Sequence, residues 1–576
     1  MMVGNGMRIP ALSPNPTTLE RLRQLVPMGG VFLGLIFFSL ALTPSLIPRN
    51  FVLQGILCGV AFAAGYGIGA FIEWLWGFMG LGFPNKRLSR AVLIGGLAAA
   101  ALVALVFLWQ STGWQNAVRE IMGLPPVESN QPVWVTIIAL GPAAILIILG
   151  TIITAGVRAV SRFLAQAIPP RVALVGSLII VGVLTNILIN GVLARSVLSA
   201  ADRFYAEVDA LAGQYEDPPL HPLQSGSAAS LIDWDTIGQE ARAYVESGPS
   251  AEEIAAITGK PAVMPLRVYV GLRSADTVDE RAQLALAEMQ RIGAFDRSIL
   301  VLIMPVGTGW VDPPAIDTLE MLHGGDVASV AVQYSYLTSW LSLVSEPEVG
   351  TDTARALFST VYRHWTELPR DGRPRLYLHG LSLGAYASQA SVSPYAILSD
   401  PFQGALWVGP PFESDVWRWA TSSREPGTPE WLPQFEDRSA IRFVNQHRGL
   451  EDYDQGWGPV RLVYLQYASD PVVFFEPSIL YRPPAWLEGP RARDVSPLLS
   501  WYPVVTFMQV LLDMVLAQTS PVGFGHVYAP QDYLDSWVAV TAPAGWTESE
   551  LDMLRTRLTR HGDLTSLSGG WFRSIP

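Results

Sequence analysis

Leu376-Tyr377-Leu378-His379-Gly380-Leu381-Ser382-Leu383-Gly384 decides how this chain is read. Leu376 to His379 predicts a short buried strand, and Ala385 to Ala390 is helix-compatible, so Gly380-Leu381-Ser382-Leu383-Gly384 falls on a sharp turn between them. A serine on such a turn holds its hydroxyl clear of the backbone. Gly380 and Gly384 permit the close approach that any side chain would block. The stretch therefore predicts a nucleophilic Ser382.

Working outward, the chain alternates between two patterns. Leu266 to Leu272, Ser298 to Met304, Val327 to Gln333, Ala405 to Val408 and Val460 to Gln466 are short apolar runs with little polar alternation, as in strands covered on both faces. Ser250 with Glu253 and Thr277 with Glu280 have the spacing of capping boxes and predict helix starts, and Ala354 to Glu367 predicts a further helix. Alternating strands and helices give an α/β fold, a mostly parallel sheet with helices on both faces. Ligands of such a sheet sit beyond the carboxyl ends of its strands, where Ser382 falls.

A hydroxyl is a poor nucleophile at neutral pH and needs a histidine base oriented by an acid. Three histidines follow Ser382. His447 lies in a polar segment with Glu451, Asp452 and Asp454, and His561 in a charged tail, whereas His526 lies in the glycine-flanked loop Gly523-Phe524-Gly525-His526-Val527-Tyr528. The order Ser, acid, His then places the acid at Asp470, just after the Val460 to Gln466 run, with Glu476 and Asp454 as substitutes. Ser469-Asp470-Pro471 is also ordinary turn chemistry, and both roles are compatible. Ser520 to Gly523 reads as loop, so the strand expected before the histidine is very short. Acyl transfer further needs oxyanion donors. Leu383 supplies one, and Thr308 or Gly309, in the loop after Met304, supplies the other. His323-Gly324-Gly325-Asp326 follows a helical run and reads as a helix cap.

The N-terminal third differs in kind. Residues 1–199 hold 12 Lys and Arg against 4 Asp and Glu, leaving 26 against 46 in the remainder. Five apolar runs, Val31 to Ile47, Gly55 to Trp76, Ala91 to Leu108, Trp134 to Ile153 and Val172 to Leu193, predict five transmembrane helices. Basic residues alternate around them: Arg8, Arg21 and Arg23; Arg49; Lys86, Arg87 and Arg90; Arg119; then Arg158, Arg162 and Arg171. This bias puts the N-terminus in the cytoplasm and everything after the fifth span outside it, in a multi-pass protein of the cytoplasmic membrane. Gly65, Gly67, Gly69 and the run Gly95 to Ala101 read as helix packing, and Asn186 and Asn190 as interhelical hydrogen bonding or a lipid path. The boundaries are 1–28 cytoplasmic, 29–195 transmembrane, 196–230 linker and 231–576 catalytic.

The only cysteine, Cys58, lies in the second apolar run, which excludes disulfides and cysteine catalysis in the remainder. The seven histidines show no metal-binding spacing, no cofactor signature appears, and the acidic C-terminal part excludes a nucleic-acid footprint.

Beyond the elbow, Trp234-Asp235-Thr236, Arg267-Val268-Tyr269-Val270-Gly271-Leu272, Gly307-Thr308-Gly309-Trp310-Val311-Asp312-Pro313, Leu322-His323-Gly324-Gly325-Asp326, Tyr334-Ser335-Tyr336-Leu337 and Tyr467-Ala468-Ser469-Asp470-Pro471-Val472-Val473 resemble the bacterial membrane-anchored alpha/beta-hydrolase family with an N-terminal multi-span region. The likeness covers nearly the whole chain. It implies an alpha/beta-hydrolase domain after an N-terminal multi-span region, which the apolar runs above make a five-helix transmembrane bundle, and it implies no substrate. Relatives often carry an acid where this chain has Leu381, a departure that bears on pocket polarity and not on the nucleophile.

Residues 476–520 contain Tyr481, Trp486, Leu498, Trp501 and Tyr502, then Val504 to Leu516 with one charge at Asp513. They read either as a lid over an acyl pocket or as a core helix with a long connection. The expected function is a serine hydrolase acting on an acyl ester or lipid at the bilayer. An acyltransferase with the same triad and a non-catalytic binding module are the alternatives.

Overall fold

The computed structural model describes residues 27–81, 86–193, 196, 198, 200, 203–205, 217–337, 341, 347–393, 398–447, 450 and 456–565. Arg8, Arg21, Arg23, Glu451, Asp452 and Asp454, named above, lie outside them, as do residues 1–26 of the expected N-terminal segment and part of the expected 196–230 linker. The described residues fall into two compact units, one drawn from Met1–Pro44, Arg49–Asn116 and Val127–Val181, the other from Ser45–Pro48, Ala117–Pro126 and Gly182–Pro576.

The N-terminal part is helical: α1 Met28–Ala41, α2 Phe51–Phe78, α3 Lys86–Ile121, α4 Pro132–Leu164 and α5 Pro170–Asn186, continued as a π-helix over Ile187–Leu193; of these, the residues after Asn116 in α3 and after Val181 in α5 belong to the second unit. Four helices are long and apolar enough to span a membrane, over Phe51–Phe78, Ala91–Ile121, Pro132–Leu164 and Pro170–Gly191. The first expected span, Val31 to Ile47, is not borne out. α1 has 14 residues, and at about 1.5 Å per residue it covers roughly 21 Å of a hydrocarbon core about 30 Å thick. Pro44 and Pro48 explain the stop, because each lacks an amide donor and biases its predecessor away from helix. Gln54 Nε2 of α2 donates to the Ala41 carbonyl at 2.8 Å, satisfying one group freed by that ending.

Small residues pack part of this unit. A Cβ at Gly65 would lie 2.6 Å from the Leu33 carbonyl oxygen, and one at Gly69 2.2 Å from that of Gly29, so α1 and α2 meet backbone to backbone there. Gly67 and Gly95 face open space and do no such work. Asn190 Nδ2 donates to Asn186 Oδ1 at 2.7 Å within its own helix, so the expected interhelical bond is replaced by a local one.

The second unit is built on seven parallel strands in the order β1-β3-β2-β4-β5-β7-β6. They are β1 Leu266–Val270, β2 Ile299–Met304, β3 Val327–Val332, β4 Arg375–Leu381, β5 Gly404–Val408, β6 Ile441–Val444 and β7 Arg461–Leu465. Every residue of β1, β2, β3 and β5 is buried, which is why these strands read as runs with little polar alternation, Arg267 and Ser329 being the polar residues among them. Helices Val278–Arg291, Pro313–Leu322, Pro347–Glu367 and Leu383–Ser391 connect consecutive strands from β1 to β5. Both predicted capping boxes are formed, at Ser250 and Thr277. After β2 the chain turns towards β3, and after β4 it turns the other way towards β5. The order thus reverses between β2 and β4, which are paired through Met304 and Gly380, and a crevice opens at their carboxyl ends. One buried ion pair braces this side: Arg267 of β1 reaches Glu320 of helix Pro313–Leu322 with Nε–Oε1 at 2.9 Å and Nη2–Oε2 at 2.7 Å.

Candidate active site

β4 runs directly into the helix Leu383–Ser391, and Ser382 takes the corner with φ 56° and ψ −125°. A non-glycine residue held in that region costs about 1–3 kcal/mol and persists only where its surroundings fix it. Here the Ser382 amide donates to the Val408 carbonyl at 2.9 Å, locking the corner to the end of β5. A Cβ at Gly380 would stand 2.3 Å from the Gly384 carbonyl carbon, and one at Gly384 would stand 2.1 Å from the Met304 oxygen. Both spacings are below any tolerated contact, so the two glycines are steric requirements of the turn. Leu383 opens the helix, and its amide therefore has no acceptor within it.

Asp470 stands two strands away, at the end of β7, and is fully buried. Its two oxygens do different work. Oδ1 accepts the Val472 amide at 2.9 Å, capping the short turn Pro471–Phe474, while Oδ2 lies 2.6 Å from His526 Nδ1. A carboxylate can only accept, so the imidazole proton sits on Nδ1 and Nε2 carries the lone pair. That Nε2 is buried and has no hydrogen-bond partner among the described residues. The ring packs on Gly409, where a Cβ would lie 2.7 Å from His526 Cε1. Ser382 and His526 thus meet adjacent residues at the end of β5, Val408 bonded to the serine amide and Gly409 against the imidazole, and no hydrogen bond joins Ser382 to His526 Nε2. Ser382 and His526 are each 5% exposed, so both are closed off from bulk water.

No strand precedes His526 among the described residues. The loop reverses on itself instead, with Gly523 N donating to Val527 O at 2.8 Å and a single antiparallel bridge between Phe524 and Val527. Distant residues hold it. Ser469 Oγ accepts the Gly525 amide at 3.0 Å, and the Ala517 carbonyl accepts the His526 amide at 3.1 Å. Gln446 Nε2 donates to the Gly523 carbonyl at 2.9 Å. Buried Asp494 accepts from the Ser469 amide at 2.8 Å and from Gln446 at 3.2 Å. The segment 476–520 therefore contributes to the site by anchoring the histidine loop. Its helix Val505–Val515 buries Val505 and Val510 and leaves Leu511 and Val515 exposed, and Trp486 is a core residue bonded to the Phe474 carbonyl.

The loop after β2 carries the remaining predicted donors. The Gly309 amide is engaged with the Val306 carbonyl at 2.9 Å, and its own carbonyl accepts the Tyr269 hydroxyl at 2.6 Å. Thr308 is the residue of the two whose amide is not spent in that turn. Asp312 follows, buried, with Tyr533 donating to Oδ2 at 2.6 Å. Burial pushes the Asp312 carboxyl up to about 7, with the Asp317 charge adding to the rise and Tyr533 and His526 opposing it.

Other candidates stand apart. His379 on β4 is bonded to the Leu406 carbonyl at 2.9 Å, and burial lowers it to about 4, a neutral core residue. His323 ends helix Pro313–Leu322, and Gly324 and Gly325 follow at φ 58° and 76°, so that motif is the predicted cap. The His447 amide folds back on Asn445 Oδ1 at 3.0 Å, and Glu476 lies 3.8 Å from Arg482. A surface cleft lined by Asp352, Arg355, Tyr362 and Ser391 runs along Pro347–Glu367 and includes none of the residues around Ser382. Sequence reasoning missed Asp494, Gln446, Asp312 and Tyr528. Only Tyr528 carried a signal, two places beyond the histidine in a loop of otherwise small and apolar residues.

Among known proteins, the model described as the alpha/beta-hydrolase family matches residues 266–554, and that of the alpha/beta-hydrolase family N-terminus matches residues 42–249. No curated protein and no solved structure matches. A parallel seven-stranded sheet, a strained serine between β4 and its helix, and family matches over both parts of the chain agree: this protein belongs to the alpha/beta-hydrolase family.

Proposed function

We propose that the protein is a membrane-anchored serine hydrolase acting on an acyl ester or lipid-like substrate. Ser382 Oγ attacks the acyl carbonyl while its proton passes to His526 Nε2, and the Leu383 and Thr308 amides receive the developing oxyanion. The protonated ring then gives its proton to the departing alkoxide. Water repeats the sequence on the acyl-serine, releasing the acid and restoring Ser382. Asp470 keeps the proton on Nδ1 throughout and offsets the charge of the imidazolium. The observation carrying this reading is the 2.6 Å Asp470–His526 contact on an imidazole whose other nitrogen is buried and unpaired beside the Ser382 corner.

Placement of this site at the outer face of the cytoplasmic membrane is supported by the basic residues between spans. Lys86, Arg87 and Arg90 fall between the first and second of the four spans, and Arg158, Arg162 and part of the adjoining turn fall at the third-to-fourth junction. Retaining these connections inside sends everything after the fourth span outside; the loss of Val31 to Ile47 as a span leaves that side unchanged but puts the N-terminus, expected in the cytoplasm, on the same outer side. The acyl substrate class is supported by exposed Tyr481, Leu498, Leu511 and Val515 in the segment that anchors the histidine loop.

The test is hydrolysis of nitrophenyl esters of graded acyl length by the full chain in proteoliposomes. Turnover that vanishes in Ser382→Ala and in His526→Ala is expected. Equal turnover in wild type and both variants would sink the reading.

A further inference from the structure

Asp470 Oδ2 carries more than the histidine. The Tyr528 hydroxyl donates to that same oxygen at 2.7 Å, alongside His526 Nδ1 at 2.6 Å. With the Val472 amide on Oδ1, the buried carboxylate has three donors, which is what a charge removed from water requires. Tyr528 is itself buried, and its ring is held from several sides. It lies 4.4 Å from the Tyr467 ring and 5.8 Å, edge-on, from the His526 ring, and a Cβ at Gly409 would come within 2.8 Å of its hydroxyl oxygen. Burial, and next the charge of Asp470, push the Tyr528 phenol well above its ordinary value, so it remains a donor at every working pH. The next residue is pinned as well, the Ala529 amide donating to the Tyr467 hydroxyl at 2.9 Å, and Tyr467 in turn donating to Asp532.

We propose that Tyr528 is a positioning residue that fixes Asp470 Oδ2 in line with His526 Nδ1. The inference rests on the reading of Ser382, Asp470 and His526 as one catalytic set. A carboxylate held through Oδ1 alone can swing about its Cβ–Cγ bond, and the second donor on Oδ2 removes that freedom. Because the hydroxyl is directed at Asp470 and not at the nucleophile, its loss should slow the chemical step and leave substrate capture alone. Misplacement of a supporting group by a fraction of an ångström is enough for such an effect.

The experiment is the concentration dependence of fluorophosphonate inactivation of the full chain, wild type against Tyr528→Phe, with rates expressed per titrated active site so that an unfolded fraction does not enter. The expected result is a maximal inactivation rate lowered on the order of 10-fold, as for one lost hydrogen bond of about 1.4 kcal/mol, with the half-saturating concentration within 2-fold. An unchanged maximal rate overturns the proposal. So does a raised half-saturating concentration at unchanged maximal rate, which would put Tyr528 in the substrate pocket, and so does a variant with no folded fraction, which would make the hydroxyl a core bond. Wild type that takes no probe at all would instead defeat the underlying reading of Ser382.

Discussion

The Ser382 corner and the His526 loop meet the adjacent residues Val408 and Gly409 but are held by opposite means. The corner is held by backbone geometry local in sequence: a strand, a positive φ, and two glycines whose hydrogens touch main chain. The loop has neither strand nor helix, and contacts from residues 446, 469 and 517, the first two held in turn by Asp494, set its position. A nucleophile whose hydroxyl must be presented at a fixed angle is made by the backbone. A base that must accept and return a proton is made by side-chain contacts that fix a ring and one tautomer.

Substitutions that break one side or the other should therefore differ in kind. The largest effect is expected at the junction of ring and acid: Asp470→Asn removes the acceptor that keeps the proton on Nδ1 and should lower ester turnover by roughly 10⁴-fold, the scale of a wrong tautomer, with little change in melting temperature. On the corner side, Gly384→Ala places a methyl against the Met304 carbonyl. The helix start must shift, the Leu383 amide moves with it, and turnover should fall by about 10²-fold, the scale of one lost oxyanion donor. On the loop side, Asp494→Ala strands the buried Ser469 amide at a cost of about 1–3 kcal/mol. A drop of about 10-fold in turnover, recovered in part by Asp494→Asn, is the expected outcome, and equal damage from both would mean that charge rather than hydrogen bonding anchors the loop.

The smallest effect concerns Asp312, in the loop after β2. Its carboxyl titrates at about 7 in the folded protein against 3.8 when free. A raised carboxyl leaves folding unpenalised below the free value, and stability is lost as pH rises through the folded value. Asp312→Asn, neutral throughout, should melt with wild type at pH 4 and a few degrees above it at pH 8. Superimposable curves at both pH values would show that Asp312 does not titrate as its burial dictates.

The same contrast explains what the sequence made legible. Gly380, Ser382 and Gly384 are read from five residues because every contact that shapes the corner is local or lies in a neighbouring strand. Asp470 and His526 were reachable through chain order and elimination. Asp494 and Gln446 were not, since nothing in their neighbourhoods signals a contact with a loop tens of residues away. β6 was missed for a different reason. Ile441–Val444 is four residues long and contains Arg442, whose guanidinium lies 3.8 Å over the Trp457 ring, so its charge is covered by a residue the strand pattern does not include. The false span Val31 to Ile47 failed because hydropathy alone ignores Pro44 and Pro48.

The most direct test of the catalytic set is to treat the purified full chain with a fluorophosphonate and locate the adduct by peptide mass spectrometry. A single adduct on the peptide carrying Ser382 is expected, lost in Ser382→Ala and strongly slowed in His526→Ala. Folded wild type that remains unmodified, or an adduct on any other residue, would contradict it.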